Sequence, residues 1–264
     1  MQNILSLLDE LHLKDLQNER HPSYFDINEG YNMLILRLPI CDTKLSFRSF
    51  GFIFTKSDTY YYTISEQKFE KFETKYKEAY LFINTHIDAF MKKFSTYQFQ
   101  IQDMEELLYS DKDRKNFMSA WFSLKRDITR VDSVLEKAIE AMDDFMQYYE
   151  EKHNDTQFLV NNYTDLHEHL ERSKHSCELQ LSKLDYIYNF YNTRTNERMN
   201  RLIYILTIIS VIFLPLNLLV GFFGINTSGL PFTEGESGTF SVMMTMLGIF
   251  VVSSLLLLVW RKKI

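Results

Sequence analysis

LIYILTIISVIFLPLNLLVGFF, at residues 202–223, is an uncharged segment, and FSVMMTMLGIFVVSSLLLLVW, at residues 240–260, is a second one. At a rise of about 1.5 Å per residue, each would form a helix long enough to cross a hydrocarbon core of roughly 30 Å. Core helices of soluble proteins are usually shorter and keep a polar face. The sequence therefore predicts two membrane-spanning helices, 202–223 and 240–260.

The flanking charges predict the orientation of these helices. Basic residues precede the first segment and follow the second, whereas the loop at 224–239 contains no Lys or Arg: the residues concerned are Arg194, Arg198, Arg201, Arg261, Lys262 and Lys263. By the positive-inside rule, both termini are cytoplasmic and the loop is external. Residues 1–20 lack an apolar core, so no cleavable signal peptide is expected.

Charge is divided unevenly along the chain. The net charge is −6 in total, yet only six residues from Arg201 onward are charged, which leaves a strongly acidic body in residues 1–200. An acidic aqueous domain joined to an almost uncharged tail is typical of a membrane protein and argues against nucleic acid as a partner. The two cysteines, Cys41 and Cys177, are too few for a disulfide framework and favour a reducing compartment.

The acidic body is predicted to begin with strands and continue as helices. YNMLILRLPI at 31–40 and the Phe- and Tyr-rich stretch 46–62 predict strands, with a turn at Lys56-Ser57-Asp58. Leu81-Phe82-Ile83 is a weaker candidate for a third strand. From about Glu66 the periodic, charged sequence predicts long helices. The predicted domains are an α/β domain at 1–112, a helical stalk at 113–201 and a transmembrane hairpin at 202–264.

A coiled-coil seam runs from Leu159 to Leu202. Apolar or small residues recur there at steps of three and four that average near 3.5, which is the coiled-coil period. The pattern predicts one helix from about Asn154 to Phe223. Such a long helix needs partners, either copies of itself or the preceding helix at about 113–152. We therefore expect an oligomeric stalk that continues into the first membrane span.

The end of the first span carries a family resemblance. FLPLNLLVGFFGIN at 213–226, the short second span and the basic ending WRKKI resemble the CorA superfamily of divalent metal-ion transporters, which has a Gly-Met-Asn signature after its first span. Gly224-Ile225-Asn226 and the following Ser-Gly-Leu-Pro are closer to the ZntB-like branch. The resemblance implies an α+β membrane protein: a funnel-shaped homopentamer in the bacterial inner membrane, with an N-terminal cytoplasmic α/β domain and a pore lined by the first span.

The pore predicted in this way is neutral, because neither span contains Asp, Glu, Lys, Arg or His. A ring of Asn226 carbonyl oxygens in a Gly224-Ile225-Asn226 selectivity mouth would meet the hydrated cation. A face that repeats every three or four residues gives three polar and three apolar pore-lining positions: Asn200, Ile203, Leu206, Ser210, Leu214 and Asn217. Thr207 is the alternative to Leu206. The Asn and Ser side chains could instead hold helices together.

Other acidic and histidine residues are further candidate cation ligands. Glu234 and Glu236 in the external loop would concentrate cations near the entrance, or are ordinary solvated charges, since the family carries its loop carboxylates at places held here by Ser228 and Phe232. His167, Glu171 and His175 are spaced by four residues and suit zinc, or belong to a hydrated helix face. The acidic pairs Asp143-Asp144 and Glu150-Glu151 could bind a regulatory divalent ion, although charged helix faces also explain them.

The function predicted from these features is transport of a divalent metal cation, Mg²⁺ or Zn²⁺, with Co²⁺ and Ni²⁺ in the same class. The alternative is a membrane-anchored coiled-coil scaffold or sensor without a pore. No phosphate-binding loop, dinucleotide fingerprint, nucleophile elbow or zinc-protease motif is present in the sequence, so an enzyme is not expected. The expected partners are copies of the chain, the lipid bilayer and the transported cation, with no cofactor.

Overall fold

The computed structural model describes five stretches of the chain: residues 2–41, 45–109, 116–151, 157–224 and 238–261. The chain divides into two compact units, Met1–Asn189 and Phe190–Ile264. The first unit contains a β-sheet with helices on both of its faces. The second contains the apolar part of the longest helix and one further helix.

The sheet is an antiparallel meander of five strands in the order β1-β2-β3-β4-β5. The strands are β1 (Tyr24–Ile27), β2 (Tyr31–Cys41), β3 (Leu45–Thr55), β4 (Thr59–Thr63) and β5 (Lys68–Lys71). The central hairpin pairs β2 with β3 from Tyr31↔Thr55 to Cys41↔Leu45. The strand predicted at 31–40 is confirmed as β2, and the stretch 46–62 forms β3 and β4 on either side of the predicted turn at 56–58. Strands β1 and β5 were not predicted.

Both faces of the central strands are buried, which explains their apolar runs. Met33, Ile35 and Ile53 belong to one core cluster, which includes Ile4 and Leu16 from two short N-terminal helices, α1 (Gln2–Leu5) and α2 (Glu10–Gln17). The alternate residues of the same strands lie on the other face, where long helices cover them.

The helices that cover this face are α3 (Lys77–Tyr109) and α4 (Phe117–Glu151). They are followed in the chain by α5 (Val160–Phe223) and α6 (Gly238–Arg261). Phe50 and Phe52 contact Phe82 of α3, and Phe54 contacts Phe145 of α4. The strand predicted at Leu81-Phe82-Ile83 is therefore wrong, because these residues lie in the first turns of α3. The three apolar residues belong to a helical pattern in which Ala79, Ile83, Ile87, Phe90 and Phe94 are buried.

The first half of the predicted seam packs within the chain. Buried seam positions on α5 include Tyr163, Leu166, Leu170, Ser173, Cys177 and Leu184. The Tyr163 hydroxyl donates to the backbone carbonyl of Tyr76 at 2.9 Å. The Trp121 indole of α4 donates to the Leu184 carbonyl at 2.8 Å and stacks on Tyr188. Helices of the same chain therefore supply the partner that this half of the seam requires, while Met199 and Leu202 are exposed.

The second unit contains the apolar helices. Among the described residues, α5 is the one helix long and apolar enough to cross a membrane, and its apolar window has no buried residue in the structure. A shorter apolar stretch, Phe240–Ser253, lies within α6. Most of the predicted external loop, residues 225–237, lies outside the described residues.

Candidate ion-conduction helix

All six predicted pore-lining residues lie on the part of α5 that belongs to the second unit. An α-helix turns about 100° per residue, so these residues fall within an arc of about 120° on one face. None of them is buried, and Ile203, Leu206 and Leu214 are more than half exposed. The structure thus brings these positions to one open helix face, and their role as a pore lining stays a prediction.

The uncharged polar residues between Asn196 and Phe223 lie on an overlapping face of the helix. Between Asn196 and Phe223 the Asn, Thr and Ser side chains all fall within an arc of about 100°; they are Asn196, Asn200, Thr207, Ser210 and Asn217. Asn196 was not among the predicted pore-lining residues, although projection of the sequence onto a helical wheel would have found it. The segregation indicates a face that meets polar surroundings inside an otherwise apolar helix.

The charged residues of the segment lie on the opposite side of the helix. Within Phe190–Phe223 the charged residues occupy their own arc of about 100°, centred roughly half a turn from the polar face; they are Arg194, Glu197, Arg198 and Arg201. No charge therefore lies on the polar face of α5 between Phe190 and Phe223. A cation on that face would meet neutral oxygen and nitrogen atoms alone.

The hydroxyl groups on the polar face are arranged as acceptors. Thr207 Oγ1 donates to the Ile203 carbonyl at 2.8 Å, and Ser210 Oγ donates to the Leu206 carbonyl at 2.9 Å. A hydroxyl has one proton to donate and two lone pairs with which to accept. Because each proton is already used within the helix, the remaining lone pairs can accept from water or coordinate a cation.

Pro215 interrupts the backbone hydrogen bonds of α5. Proline has no amide proton, so the carbonyl of Val211, four residues earlier, loses its usual helical donor. In an apolar segment such a carbonyl is tolerated where it lines water or packs against protein. Together with the two hydroxyl groups, it adds a polar atom to a helix that otherwise presents apolar side chains.

The predicted selectivity mouth begins at the last described turn of α5. The Gly224 amide donates to the Val220 carbonyl at 2.9 Å, which closes the helix. At Gly221, in the preceding turn, a β-carbon would meet no described atom within 4 Å apart from its chain neighbours and the backbone of its own helix. Ile225, Asn226, Glu234 and Glu236 lie outside the described residues, so their predicted roles stay predictions.

The predicted histidine cluster does not converge on one point. His167 Nε2 lies 2.7 Å from Asp143 Oδ1, and its other ring nitrogen, Nδ1, lies 3.9 Å from Glu171 Oε2. The two carboxylates therefore face different ring nitrogens, and His175 pairs with Glu178 instead. In the described part of the chain no three His, Cys, Asp or Glu side chains form a group suited to a metal ion.

Cys177, close to this cluster in sequence, is also unsuited to metal binding. Its side chain is fully buried, and burial raises the pKa of the thiol from its ordinary value of 9.0 to about 12. A thiol ligates metals as the thiolate, which this environment disfavours. On α4, burial likewise raises the pKa of Asp132, whose Oδ1 has no hydrogen-bond partner among the described residues.

The model of the family described as CorA-like Mg²⁺ transporter protein matches residues 2–263, nearly the entire chain. The chain belongs to the CorA-like Mg²⁺ transporter family. The family is one of transporters, and its members are integral membrane proteins.

One curated relative of this CorA-like protein is the divalent cation transporter CmaX of Pseudomonas aeruginosa. The two sequences are 33% identical over 76 residues, which is 29% of this chain and 23% of CmaX. The aligned part thus spans less than a quarter of the length of that relative. The match shows that the two chains are related over this part.

Solved structures confirm the fold of the CorA-like chain. The complete CorA magnesium transporter of Methanocaldococcus jannaschii aligns with a TM-score of 0.75 at 15% identity, covering 97% of this chain and 84% of that one. Full-length CmaX aligns with a TM-score of 0.65 at 19% identity, covering 97% and 81%. The predicted fold class, an N-terminal domain with a sheet, long helices and a C-terminal pair of apolar helices, is confirmed.

The cytoplasmic domain of ZntB from Vibrio parahaemolyticus has the same fold as part of the chain. It aligns with a TM-score of 0.55 at 12% identity, covering 72% of this chain and 80% of that domain. At such low identity the likeness concerns the fold alone. The closer kinship to the ZntB-like branch, inferred from Gly224-Ile225-Asn226, stays a prediction.

Proposed function

We propose that this CorA-like protein transports a divalent metal cation, Mg²⁺ or Zn²⁺, through a pore formed by copies of α5. The observation that carries the proposal is the segregation of uncharged polar residues to one face of the apolar part of α5. A helix that only anchors a protein in lipid has no need of such a face, because polar side chains in hydrocarbon are costly.

Five chains would place the polar faces of five α5 helices around a common axis. The number five comes from the family resemblance. The helices would gather around a common axis because this arrangement turns their polar faces inward, away from lipid. The Asn200, Ser210 and Asn217 rings offer neutral oxygen atoms to a hydrated ion. Ile203, Leu206 and Leu214 form apolar rings between them, which close the path by dewetting when the pore narrows.

The neutral lining suits a cation that keeps its water. Mg²⁺ dehydrates reluctantly, so weak contacts to its hydration shell allow passage, whereas rings of carboxylates would bind it deeply. The Gly224-Ile225-Asn226 mouth selects the hydrated ion through the Asn226 carbonyl oxygens. Glu234 and Glu236 would contribute ten negative charges per pentamer and raise the cation concentration at the entrance.

The proposal includes the arrangement in the membrane. Residues 202–223 and 240–260 span the inner membrane, the loop 224–239 is external, and both termini are cytoplasmic. The body divides into the α/β domain 1–112 and the helical stalk 113–201. Because the sequence carries no nucleotide-binding motif, transport runs down the membrane potential, worth about 2.3 kcal/mol per charge per 100 mV, or is coupled to protons.

The test is flux of Mg²⁺ and Zn²⁺ into liposomes that contain the purified full-length protein, under an imposed potential and separately under a proton gradient. Asn226→Ala is compared with Asn161→Ala, which changes an exposed Asn far along α5 from the mouth. We expect flux of one or both ions, a loss or changed ion preference in Asn226→Ala, and wild-type flux in Asn161→Ala. Absence of flux under both gradients would overturn the proposal and favour the scaffold or sensor without a pore.

A further inference from the structure

The charged face of α5 presents three arginines at the start of the apolar segment. Arg194, Arg198 and Arg201 follow one another at steps of four and three residues, so they fall within an arc of about 60° and a length of about 10 Å. Arg201 directly precedes Leu202, the first residue of the uncharged stretch. Glu197 is the one carboxylate in the interval, so the local charge is positive in a chain whose net charge is −6.

The chemistry of this stripe suits phosphate groups. A guanidinium group binds phosphate oxygens through two parallel N–H donors, and its hydrocarbon stem packs along apolar surface. The Arg194 guanidinium already lies 5.2 Å from the centre of the Phe190 ring, one turn before it on the same helix. Phe190 lies on the same side of the helix as the three arginines, so its ring stands beside them.

We propose that Arg194, Arg198 and Arg201 form a binding site for anionic phospholipid head groups, such as that of phosphatidylglycerol. The proposal rests on the membrane-spanning part of the proposed function, because the stripe reaches a leaflet only if the adjoining apolar segment crosses the bilayer. Charge complementarity favours lipid phosphate as the occupant, since the stripe ends where the apolar segment begins. It also points about half a turn away from the polar face, so it does not compete with the pore.

The test measures lipid selectivity directly. The full-length protein is reconstituted in liposomes containing spin-labelled phosphatidylglycerol or spin-labelled phosphatidylcholine, and the motionally restricted fraction of each is recorded by electron spin resonance. We expect phosphatidylglycerol to be preferred several-fold. The preference should fall towards one in Arg194→Gln/Arg198→Gln/Arg201→Gln and should weaken as salt is raised, because the attraction is electrostatic.

Two controls separate the position of the charge from its amount. Lys77→Gln/Lys92→Gln/Lys93→Gln removes three positive charges from α3 and should leave the selectivity unchanged. Asn196→Arg/Arg198→Gln keeps the net charge of the helix but moves one guanidinium about 160° around it. That variant should lose selectivity as Arg198→Gln alone does.

The outcomes distinguish this inference from the transport proposal. Equal selectivity in the wild type and the triple arginine variant, with flux intact, overturns the lipid site alone. Selectivity that depends on the arginines, without flux of either ion, supports the lipid site and overturns the pore. Complete absence of restricted lipid means that the apolar segment does not enter the bilayer, which overturns both.

Discussion

The Nε2 atom of His167 lies 2.7 Å from Oδ1 of Asp143. This contact links the long helix α5, which carries His167, to α4, which carries Asp143. The pair is asymmetric: 17% of the His167 side chain is exposed, against 61% of that of Asp143. The His167 nitrogen is buried and lacks the alignment of a hydrogen bond, so the pair is a close approach of an imidazole ring to a carboxylate.

Replacement of either partner should therefore weaken the contact between α4 and α5 modestly. We expect a coupling energy of about 0.5–1 kcal/mol in the cycle of His167→Gln, Asp143→Asn and the double variant, which is ordinary for a partly exposed pair. The measurement is denaturant unfolding of the full chain in detergent. Strict additivity of the two substitutions would mean that the close approach contributes no stability.

A methyl group at Gly51 should disturb the contact between β3 and α2. A β-carbon there would overlap Cδ2 of Leu16, whose side chain is buried in the core. We expect Gly51→Ala to destabilise the protein by about 1–3 kcal/mol, as overpacking of a core usually does. Thermal unfolding should give a lower midpoint, and the penalty should largely vanish in a Leu16→Ala background. A full penalty in that background would point to backbone strain instead.

The Cys177 thiol should react very slowly in the native protein. Its pKa is raised by burial to about 12, so the reactive thiolate is scarce at pH 8 as well as inaccessible. Two single-cysteine proteins are compared, both with Cys41→Ser: one retains Cys177, and the other carries Cys177→Ala and Leu179→Cys. We expect a disulfide reagent to modify Cys177 at least about 100-fold more slowly than the cysteine at position 179. Leu179 is exposed two residues further along the same helix. Comparable rates would show that α5 separates readily from its neighbours.

The same shift predicts a pH dependence of stability. Because the folded-state pKa lies above the ordinary value, folding favours the protonated thiol. This contribution is complete below about pH 9 and is lost as the pH rises towards 12. The free energy of unfolding of the wild type should therefore fall more steeply over that window than that of Cys177→Ala, and parallel curves would contradict the prediction.

The polar face of α5 can be tested without a change in composition. Asn217 lies on the polar face, and Leu219 lies about 160° away around the helix. We expect Asn217→Leu to reduce cation flux at least tenfold, and the exchange Asn217→Leu/Leu219→Asn to reduce it equally, because the amide then points away from the pore. Flux into liposomes is the measurement. Wild-type flux in the exchanged variant would show that the side of the helix is irrelevant.

The parts of the fold that sequence predicted were those with a strong local pattern. The hairpin of β2 and β3 is rich in Phe, Tyr and Ile, and the apolar helices lack charge over long stretches. β5 was missed because KFEK has three charged residues among four and carries little strand signal. Leu81-Phe82-Ile83 was misassigned because a short apolar run fits a strand and a buried helix equally well.

The candidate pore face was predictable for the same reason: it depends on periodicity within one helix. The histidine cluster was not. Spacing by four placed His167, Glu171 and His175 on one side of α5, but the carboxylate that His167 meets belongs to Asp143 on α4. That pairing depends on how two helices pack, which no local pattern specifies. The roles of the residues in the selectivity mouth and the external loop are still predicted from the sequence alone.

The Trp121 indole is a natural fluorescent reporter of the contact between α4 and the long helix α5. Its hydrogen bond to the Leu184 carbonyl and its stacking on Tyr188 tie its surroundings to the contact of α4 with α5. The chain has two tryptophans, so Trp260→Phe leaves Trp121 as the sole emitter. Its fluorescence would shift to the red whenever the two helices part and water reaches the ring. Ion-dependent movement of α5 could then be followed in solution, in real time and without an attached dye.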